Sequence, residues 1–155
     1  MLNIETEKLL RCGGIILLNS NFTEPSIVLV ETRQKRFNLS FPKGKREVGE
    51  DILTTAKREM LEETGISSDK YEFVHDLYYI EYLFSNFLSK PHIIYFVARV
   101  KENVEIDFIP QDTKEIVSAS WFSIKNILND DNVKSKLTNQ RRQIVIKLDK
   151  SSKKF

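Results

Sequence analysis

The hydrophobic residues of this chain occur in short runs separated by polar and turn-forming residues. Two aliphatic runs, at residues 9–18 and 27–32, predict buried strands. The pair Gly13-Gly14 within the first run predicts either a bulge or a close approach between two backbones. A short strand is expected at residues 39–41. Further strands are predicted where aromatic and β-branched residues are concentrated, at residues 71–84, 92–100 and 114–122.

Three other segments have the pattern of helices. Residues 51–64 predict a helix with Asp51 as its N-cap and Gly65 just beyond its C-terminal end. Two more helices are predicted at residues 124–128 and 133–150. Strands outnumber helices and do not alternate regularly with them, so we expect an α+β fold. A chain of 155 residues is expected to form a single domain, residues 1–155.

The composition argues against several classes of protein. With 41% hydrophobic and 30% charged residues, the chain resembles an ordinary globular domain. Its apolar runs are shorter than the ~18 residues of a membrane helix, and we expect no secretion signal and no membrane partner. The single cysteine, Cys12, permits no internal disulfide, and only two histidines accompany it. Carboxylates are therefore the expected metal ligands, and a cytoplasmic location is expected.

The charged residues are unevenly distributed, although the net charge is only +2. Basic residues are concentrated at residues 33–46 and again near the C-terminal end, and acidic residues are concentrated at residues 47–63. A basic rim beside an acidic pocket suits a phosphate-bearing ligand held with divalent cations. For any single one of these charges, an ordinary solvated surface is the alternative.

Three glutamates share one face of the helix predicted at residues 51–64. At ~100° per residue, Glu59, Glu62 and Glu63 fall within an arc of roughly 100°. Like charges at this spacing destabilise a helix, so the cluster indicates a function more than a contribution to stability. Carboxylate oxygens are the ligands that Mg²⁺ prefers, and Arg58 is placed to orient them. The alternative is an acidic helix surface facing solvent.

Residues 44–66, GKREVGEDILTTAKREMLEETGI, resemble the Nudix box, G-x5-E-x7-R-E-U-x-E-E-x-G-U with U apolar. Every defined position of the pattern is occupied, by Gly44, Glu50, Arg58, Glu59, Met60, Glu62, Glu63, Gly65 and Ile66. The resemblance implies an α-β-α sandwich with a mixed sheet between helices. It also implies a hydrolase that cleaves a phosphoanhydride bond in a nucleoside diphosphate linked to another group, with Mg²⁺ or Mn²⁺ as cofactor.

The resemblance further implies roles for individual residues of the box. Glu62 and Glu63 are the expected metal ligands, and Glu59 is expected to be a ligand or the general base. The backbone carbonyl of Lys43, just before the first glycine, is expected to join the metal ligands. Arg58 is the expected supporting residue of the catalytic group.

In this family a glutamate outside the box often supplies another ligand or the base. Glu115, six residues before Trp121 on the loop that leads to a late strand, is our candidate. The alternative reading of Glu115 is an ordinary loop carboxylate. The other candidates for this role are Glu81, Glu102 and Asp107.

Substrate-binding residues are expected on both sides of the box. Lys43, Lys45 and Arg46 offer cations to a phosphate chain. Tyr95 is a candidate for stacking on a base, with packing in the core as the alternative.

The substrate class follows from the residues before the box. The motif FPKG at residues 41–44 is typical of diadenosine polyphosphate hydrolases, diphosphoinositol polyphosphate hydrolases and mRNA-decapping enzymes. Leu39 stands where many such proteins have tryptophan, so the exact branch stays open. The decapping branch normally has extra RNA-binding segments, whereas only a short basic tail is found here, so RNA is given less weight. A dinucleoside polyphosphate or a similar polyphosphorylated compound is the expected small-molecule substrate. Ordinary or oxidised nucleoside triphosphates, and a non-catalytic module that senses nucleotides or RNA, are the alternatives.

Overall fold

A computed structural model describes residues 2–19 and 24–151 of the chain. The strands are β1 (Cys12–Asn19), β2 (Ser26–Thr32), β3 (Leu39–Ser40), β4 (Lys43–Lys45), β5 (Tyr71–Ser85), β6 (Leu88–Val100) and β7 (Ile116–Ser123). The helices are α1 (Ile4–Leu9), α2 (Ile52–Thr64), α3 (Ile124–Asn129), α4 (Asp131–Lys134) and α5 (Asn139–Ser151), and a 3₁₀ turn lies at Ser68–Lys70. These elements confirm the predicted α+β class. Within the described ranges, no helix has both the length and the apolar composition needed to cross a membrane.

The sheet is built around β1. Strand β6 runs parallel to β1, from Cys12 opposite Ile93 to Leu18 opposite Arg99. The other edge of β1 pairs antiparallel with β4 and then with β2. Strand β2 also pairs with β3 and β7, and β6 pairs with β5, all antiparallel. All eight residues of β1 are buried, as expected for a central strand covered on both faces.

Helices cover the two faces of this mixed sheet. Successive side chains of a strand point to opposite faces, so neighbouring residues of β1 enter different cores. Ile15 packs in a cluster with Met60 of α2. Ile16 packs in the opposite cluster with Ile127 of α3 and Leu148 of α5. The helix–sheet–helix sandwich that the box resemblance implies is therefore present.

Helix α2 begins and ends where the sequence predicts. The Asp51 carboxylate accepts a hydrogen bond of 2.8 Å from the Thr54 N–H and so caps the first turn. Gly65 has a φ of 82°, and its N–H donates to the Leu61 carbonyl. A Cβ atom at position 65 would also collide with the backbone of Ile109. Glycine therefore both ends the helix and lets a later loop approach it.

Two other predicted elements differ from the structure. The strand predicted at residues 9–18 begins later, at Cys12, because the short helix that Asn3 caps continues to Leu9. The helix predicted at residues 133–150 is divided into α4 and α5. The Thr138 hydroxyl accepts a hydrogen bond of 3.3 Å from the Arg141 N–H, which favours a new helix start there. In both places a local side chain–backbone hydrogen bond overrides the apolar pattern.

The far end of the β5–β6 hairpin projects beyond β1, because β6 pairs with β1 only from Ile93 onward. Ser85 lies opposite Leu88, so Asn86 and Phe87 form the turn between the strands. Both turn residues have positive φ, 48° and 67° respectively. The Phe87 side chain is fully exposed. The turn thus holds a bulky residue in a conformation that suits glycine or asparagine.

The outer edge of β5 is covered at one point by helix α5. The Tyr82 N–H donates to the Gln140 side-chain oxygen, and the Gln140 side-chain amide donates to the Tyr82 carbonyl, both at 2.8 Å. The glutamine side chain therefore satisfies the donor and the acceptor that a further strand would use at this residue.

The Phe87 turn gives a prediction for stability. Replacement Phe87→Gly is expected to raise the free energy of unfolding by up to about 1 kcal/mol, because glycine adopts a positive φ without strain and the exposed ring contributes little packing. Urea unfolding followed by circular dichroism measures the change. Leu88→Gly is the matched control, since Leu88 is also exposed but lies in a strand, where glycine weakens pairing. Equal losses of stability in both variants would contradict the prediction.

Candidate active site

A cleft of about 770 Å³ lies between α2, β4 and the loop that precedes β7. Carboxylates from α2 and its flanking segments line it: Glu47, Glu59, Glu62 and Glu63. The loop before β7 contributes Asp112, Lys114 and Glu115, and the segment after β2 contributes Arg33 and Gln34. Arg58 and the three basic residues of the sequence prediction, Lys43, Lys45 and Arg46, line the same cleft. The cleft therefore combines acidic ligands with cations.

Strand β4 determines where the first residues of the box lie. It pairs with the start of β1, with Gly14 opposite Lys43 and Gly13 opposite Gly44. A Cβ atom at Gly14 would overlap the Pro42 carbonyl, so the glycine pair permits a close approach between the two backbones. Of the two alternatives given by the sequence, the close approach applies at this position. The strand itself was not predicted, because Lys-Gly-Lys has no apolar alternation.

The side chain of Glu59 lies directly against Gly44. A Cβ atom at position 44 would overlap the Glu59 carboxylate, so glycine is needed for this side chain to occupy its place. Burial raises the pKa of Glu59, and the charges of Glu62 and Glu115 raise it further, while Arg58 opposes the shift. A carboxylate with a raised pKa is suited to exchanging a proton near neutral pH.

Glu63 is the most deeply buried carboxylate of the cleft, with 6% of its surface exposed. The Lys43 N–H donates a hydrogen bond of 3.1 Å to its Oε1 atom. Burial raises the pKa of Glu63 to about 8, and the charges of Glu59 and Glu115 contribute to the shift. An ionised carboxylate in this place is unfavourable without a nearby positive charge.

The guanidinium of Arg58 connects the other carboxylates. Its Nε and Nη2 atoms donate to the two oxygens of Glu50, at 2.6 and 3.0 Å. Its Nη1 atom donates to Glu59 at 2.9 Å and to Glu62 at 3.2 Å. Nη2 also donates to the Lys45 carbonyl at 2.8 Å, which links α2 to β4. The hydrogen bonds from Arg58 lower the pKa of Glu50 to about 2. These contacts suit a residue that orients carboxylates.

The loop before β7 rests on the C-terminal turn of α2. The Ile109 N–H donates to the Thr64 carbonyl at 3.0 Å. The N–H groups of Gln111 and Asp112 both donate to the Glu62 carbonyl, at 2.8 and 2.9 Å. The last carbonyls of a helix lack partners within the helix, so the loop satisfies groups that would otherwise need solvent.

This docking brings three carboxylates together. One oxygen from each of Glu63, Asp112 and Glu115 lies within 4.8 Å of the other two. Oxygen donors of this kind suit Mg²⁺ or Mn²⁺, and the buried Glu63 carboxylate favours a cation beside it, so these residues fit such an ion. The sequence analysis missed Asp112, for which a spacing of three residues from Glu115 was the available signal.

The three alternatives to Glu115 are outside the cleft lining as the described residues define it. Glu81 forms an ion pair with Arg141 at 3.1 Å. Glu102 and Asp107 lie on the connection between β6 and β7. Among the described residues, Glu115 is therefore the only one of these four candidates that lines the cleft together with the α2 carboxylates.

The position of Tyr95 favours packing in the core over stacking on a base. Its side chain is completely buried, and its ring meets the Phe41 ring edge to face, with centroids 4.9 Å apart. Its hydroxyl donates to Glu81 at 3.0 Å, beside the Glu81–Arg141 pair. A fully buried ring offers no face to a ligand, so the expected substrate contact at Tyr95 is not supported.

Glu63 gives a prediction for the metal-free protein. Its folded-state pKa of about 8 lies above the ordinary value of 4.5 for a free glutamate. Protonation therefore favours the folded state, with full effect below pH 4.5, and this contribution is lost as the pH rises to about 8. In EDTA, Glu63→Gln should melt several degrees above the wild type at pH 8.5 and close to it at pH 4.

Glu50→Gln provides a control of opposite sign. The pKa of Glu50 is lowered, so its ionised form stabilises the fold above pH 4.5, and this contribution is lost as the pH falls towards about 2. Glu50→Gln should therefore melt below the wild type at pH 8.5. A Glu63→Gln variant that melts at or below the wild-type temperature at pH 8.5 would refute the raised pKa of the buried Glu63 carboxylate.

Comparisons with known proteins point to one family. A family model described as the NUDIX domain matches residues 9–146. The m7GpppN-mRNA hydrolase of Saccharomyces cerevisiae (strain ATCC 204508 / S288c) is 31% identical over 114 residues. That alignment covers 74% of this chain but only 11% of the yeast protein.

Two solved structures show the same fold at low sequence identity. The Ap4A hydrolase of C. elegans, in a binary complex, aligns with a TM-score of 0.69 and 18% identity over 94% of this chain and 100% of that chain. The NUDIX domain of Shewanella oneidensis NrtR, complexed with ADP ribose, aligns with a TM-score of 0.63 and 13% identity over 92% of this chain and 86% of that chain. Because the family model covers most of its length and every box position is occupied, the chain belongs to the Nudix family.

Proposed function

We propose that the chain is a hydrolase dependent on Mg²⁺ or Mn²⁺ that cleaves a phosphoanhydride bond in a nucleoside diphosphate linked to another group. The observation that carries this proposal is the convergence of Glu59, Glu62 and Glu63 of α2 with Glu115 in one cleft. Cations line the same cleft, so it can hold the phosphate groups as well as the ions that accompany them.

The proposed ion would be held by carboxylates from α2 and the loop before β7. Glu62 and Glu63 are the proposed ligands from α2, with Glu59 and the Lys43 carbonyl as further ligands. The loop would contribute Asp112 and Glu115. When bound, such an ion offsets the negative charge that develops on the phosphate oxygens. Hydrogen bonds from the Arg58 guanidinium hold the carboxylates of Glu59 and Glu62 in place.

The proton transfer is assigned to Glu59, with Glu115 as the alternative base. A water oxygen attacks phosphorus and forms a new P–O bond while the anhydride P–O bond breaks, and the leaving phosphate takes the electron pair. Glu59 accepts the proton from the attacking water. The raised pKa of Glu59 brings this carboxylate closer to the pH at which such a transfer is efficient.

The preferred substrate is a dinucleoside polyphosphate or a similarly polyphosphorylated compound. Lys43, Lys45 and Arg46 follow one another on or next to β4 and would contact successive phosphates. Lysine acts as a point charge, whereas arginine can donate two parallel hydrogen bonds to one phosphate. A longer phosphate chain makes use of more of these cations.

A capped RNA is a second candidate, favoured by the 31% identity to the yeast m7GpppN-mRNA hydrolase. That similarity gives RNA more weight than the sequence analysis gave it. The cap named there, m7GpppN, joins two nucleosides through a phosphate chain, so both candidates contain the same type of bond. They differ in what lies beyond the second nucleoside. Identification of the products from a substrate panel therefore separates them.

Removal of one proposed ligand tests the function. Glu62→Gln and Glu63→Gln should each lower turnover by orders of magnitude while circular dichroism shows an intact fold, because each loses a charged ligand. The panel would contain diadenosine polyphosphates, diphosphoinositol phosphates, ADP-ribose, capped RNA, and ordinary and oxidised nucleoside triphosphates, with Mg²⁺ or Mn²⁺. Glu102→Gln is the matched control, since Glu102 lies outside the cleft and should keep wild-type turnover.

The panel has clear outcomes for the proposal. Two nucleotide products from a diadenosine polyphosphate support the preferred substrate, whereas a monophosphate and pyrophosphate from a triphosphate support the alternative. Tight nucleotide binding without hydrolysis would contradict the enzyme proposal and support a non-catalytic module that senses nucleotides. Near-normal turnover in either glutamine variant would show that the ligand assignment is wrong.

The pH dependence of turnover tests the assignment of the base. Because Arg58 lowers the pKa of Glu59, Arg58→Gln should move the midpoint of the rise in kcat/KM towards higher pH. The profile is measured from pH 5 to pH 9.5 for the wild type and the variant. Arg99→Gln, which removes an arginine bound to Glu72 outside the cleft, should leave the midpoint in place. A midpoint that stays fixed or falls in Arg58→Gln excludes Glu59 as the titrating base.

A further inference from the structure

Arg33 lies at the cleft, although it belongs neither to the box nor to the residues expected to bind substrate. It follows β2 and contacts the loop before β7 in two ways. Its Nε and Nη2 atoms donate to the Thr113 carbonyl at 3.3 and 3.1 Å. Its backbone N–H donates to the Glu115 carbonyl at 3.0 Å. Arg33 therefore binds the backbone of the loop on both sides of residue 114.

The loop segment that Arg33 binds is a compact turn. The Asp112 carboxylate accepts hydrogen bonds of 3.2 Å from the N–H groups of Lys114 and Glu115. The Ile116 N–H donates to the Asp112 carbonyl at 3.2 Å. The turn thus has a fixed internal shape, and its place in the cleft depends on the attachments at its two sides. One attachment is the Glu62 carbonyl of α2, and on the other side are Arg33 and the pairing of β7 with β2, which begins with Ile116 opposite Thr32.

Electrostatics gives a reason for a cation beside this loop. One oxygen of Asp112 lies within 4.8 Å of one oxygen of Glu115, and two ionised carboxylates at such short range repel one another. The backbone after Glu115 is held by the sheet, because β7 pairs with β2 from Ile116 opposite Thr32 onward. The Arg33 side chain adds a positive charge and two N–H donors at the Thr113 carbonyl, between the contacts to the Glu62 carbonyl and the start of β7.

We propose that Arg33 is a positioning residue for Glu115. This inference rests on the hydrolase function proposed above and assigns a role to a residue outside the box. Arg33 holds residues 112–115 where the Glu115 carboxylate joins that of Glu63, and it acts through Glu115 rather than through contact with the substrate. Loss of Arg33 therefore lowers kcat with little change in KM, and it matters only while Glu115 is present.

A double-mutant cycle tests this dependence. The full chain is prepared as wild type, Arg33→Ala, Glu115→Gln and the double variant, and kcat and KM are measured on the substrate that the wild type turns over best. Arg33→Ala should lower kcat by about 10- to 100-fold, the range expected for a misplaced group. The double variant should be no slower than Glu115→Gln alone.

Two further variants separate positioning from a general effect on structure. Arg33→Lys keeps the charge and one donor group, so it should recover part of the lost kcat. Arg99→Ala removes an exposed arginine that is hydrogen-bonded to Glu72 at 3.0 Å, outside the cleft lining, and should keep the wild-type kcat. Multiplicative losses in the double variant, or a rise in KM with unchanged kcat, would overturn the proposal.

Binding of Mn²⁺ alone distinguishes failure of this inference from failure of the proposed function. If the wild type hydrolyses nothing in the panel, the proposed function fails, and the same four proteins are titrated with Mn²⁺ by calorimetry. Arg33→Ala should then weaken Mn²⁺ binding as Glu115→Gln does, with no further loss in the double variant. Wild-type affinity in Arg33→Ala would overturn the positioning role without reference to any substrate.

Discussion

The cleft depends on the ability of one arginine to hold together carboxylates that repel one another. Arg58 bonds to Glu50, Glu59 and Glu62 through all three of its guanidinium nitrogens. The additional bond to the Lys45 carbonyl makes the same side chain part of the contact between α2 and β4. The Glu63 carboxylate is bonded to a backbone amide instead, and burial raises its pKa to about 8. Charge compensation across the acidic cluster is thus uneven.

The long elements of the fold could be predicted because buried positions carry apolar residues in runs or at regular spacings along the sequence. Strand β1 is buried along its whole length and helix α2 carries recognisable caps at both ends. The ends of helices and strands were harder to predict where a single hydrogen bond determines them, as at Asn3 and Thr138. Strand β4 was missed for a different reason. Its partner is a glycine pair about thirty residues earlier, and pairing at that separation is not encoded in local pattern.

The candidate site could be predicted in its helical part, and in its loops only at Glu115, for which the family resemblance supplied the candidate. A helix has a fixed period, so the spacing of Glu59, Glu62 and Glu63 already places the three carboxylates together. Asp112 and Arg33 reach the cleft through backbone hydrogen bonds of the loop before β7, which any residue type can make. The assignment of Tyr95 was left open for a related reason. Alternation along a strand shows that two faces exist but does not show which face meets solvent.

The hydrogen bonds between Gln140 and Tyr82 also bear on how the chain meets its neighbours at high concentration. The hairpin presents apolar side chains around an open strand edge, a combination that in other proteins promotes edge-to-edge association into growing sheets. At Tyr82 the glutamine amide already fills both backbone positions that an incoming strand would need. A second chain that pairs with β5 there must first displace this side chain. Helix α5 therefore opposes the addition of another strand at Tyr82.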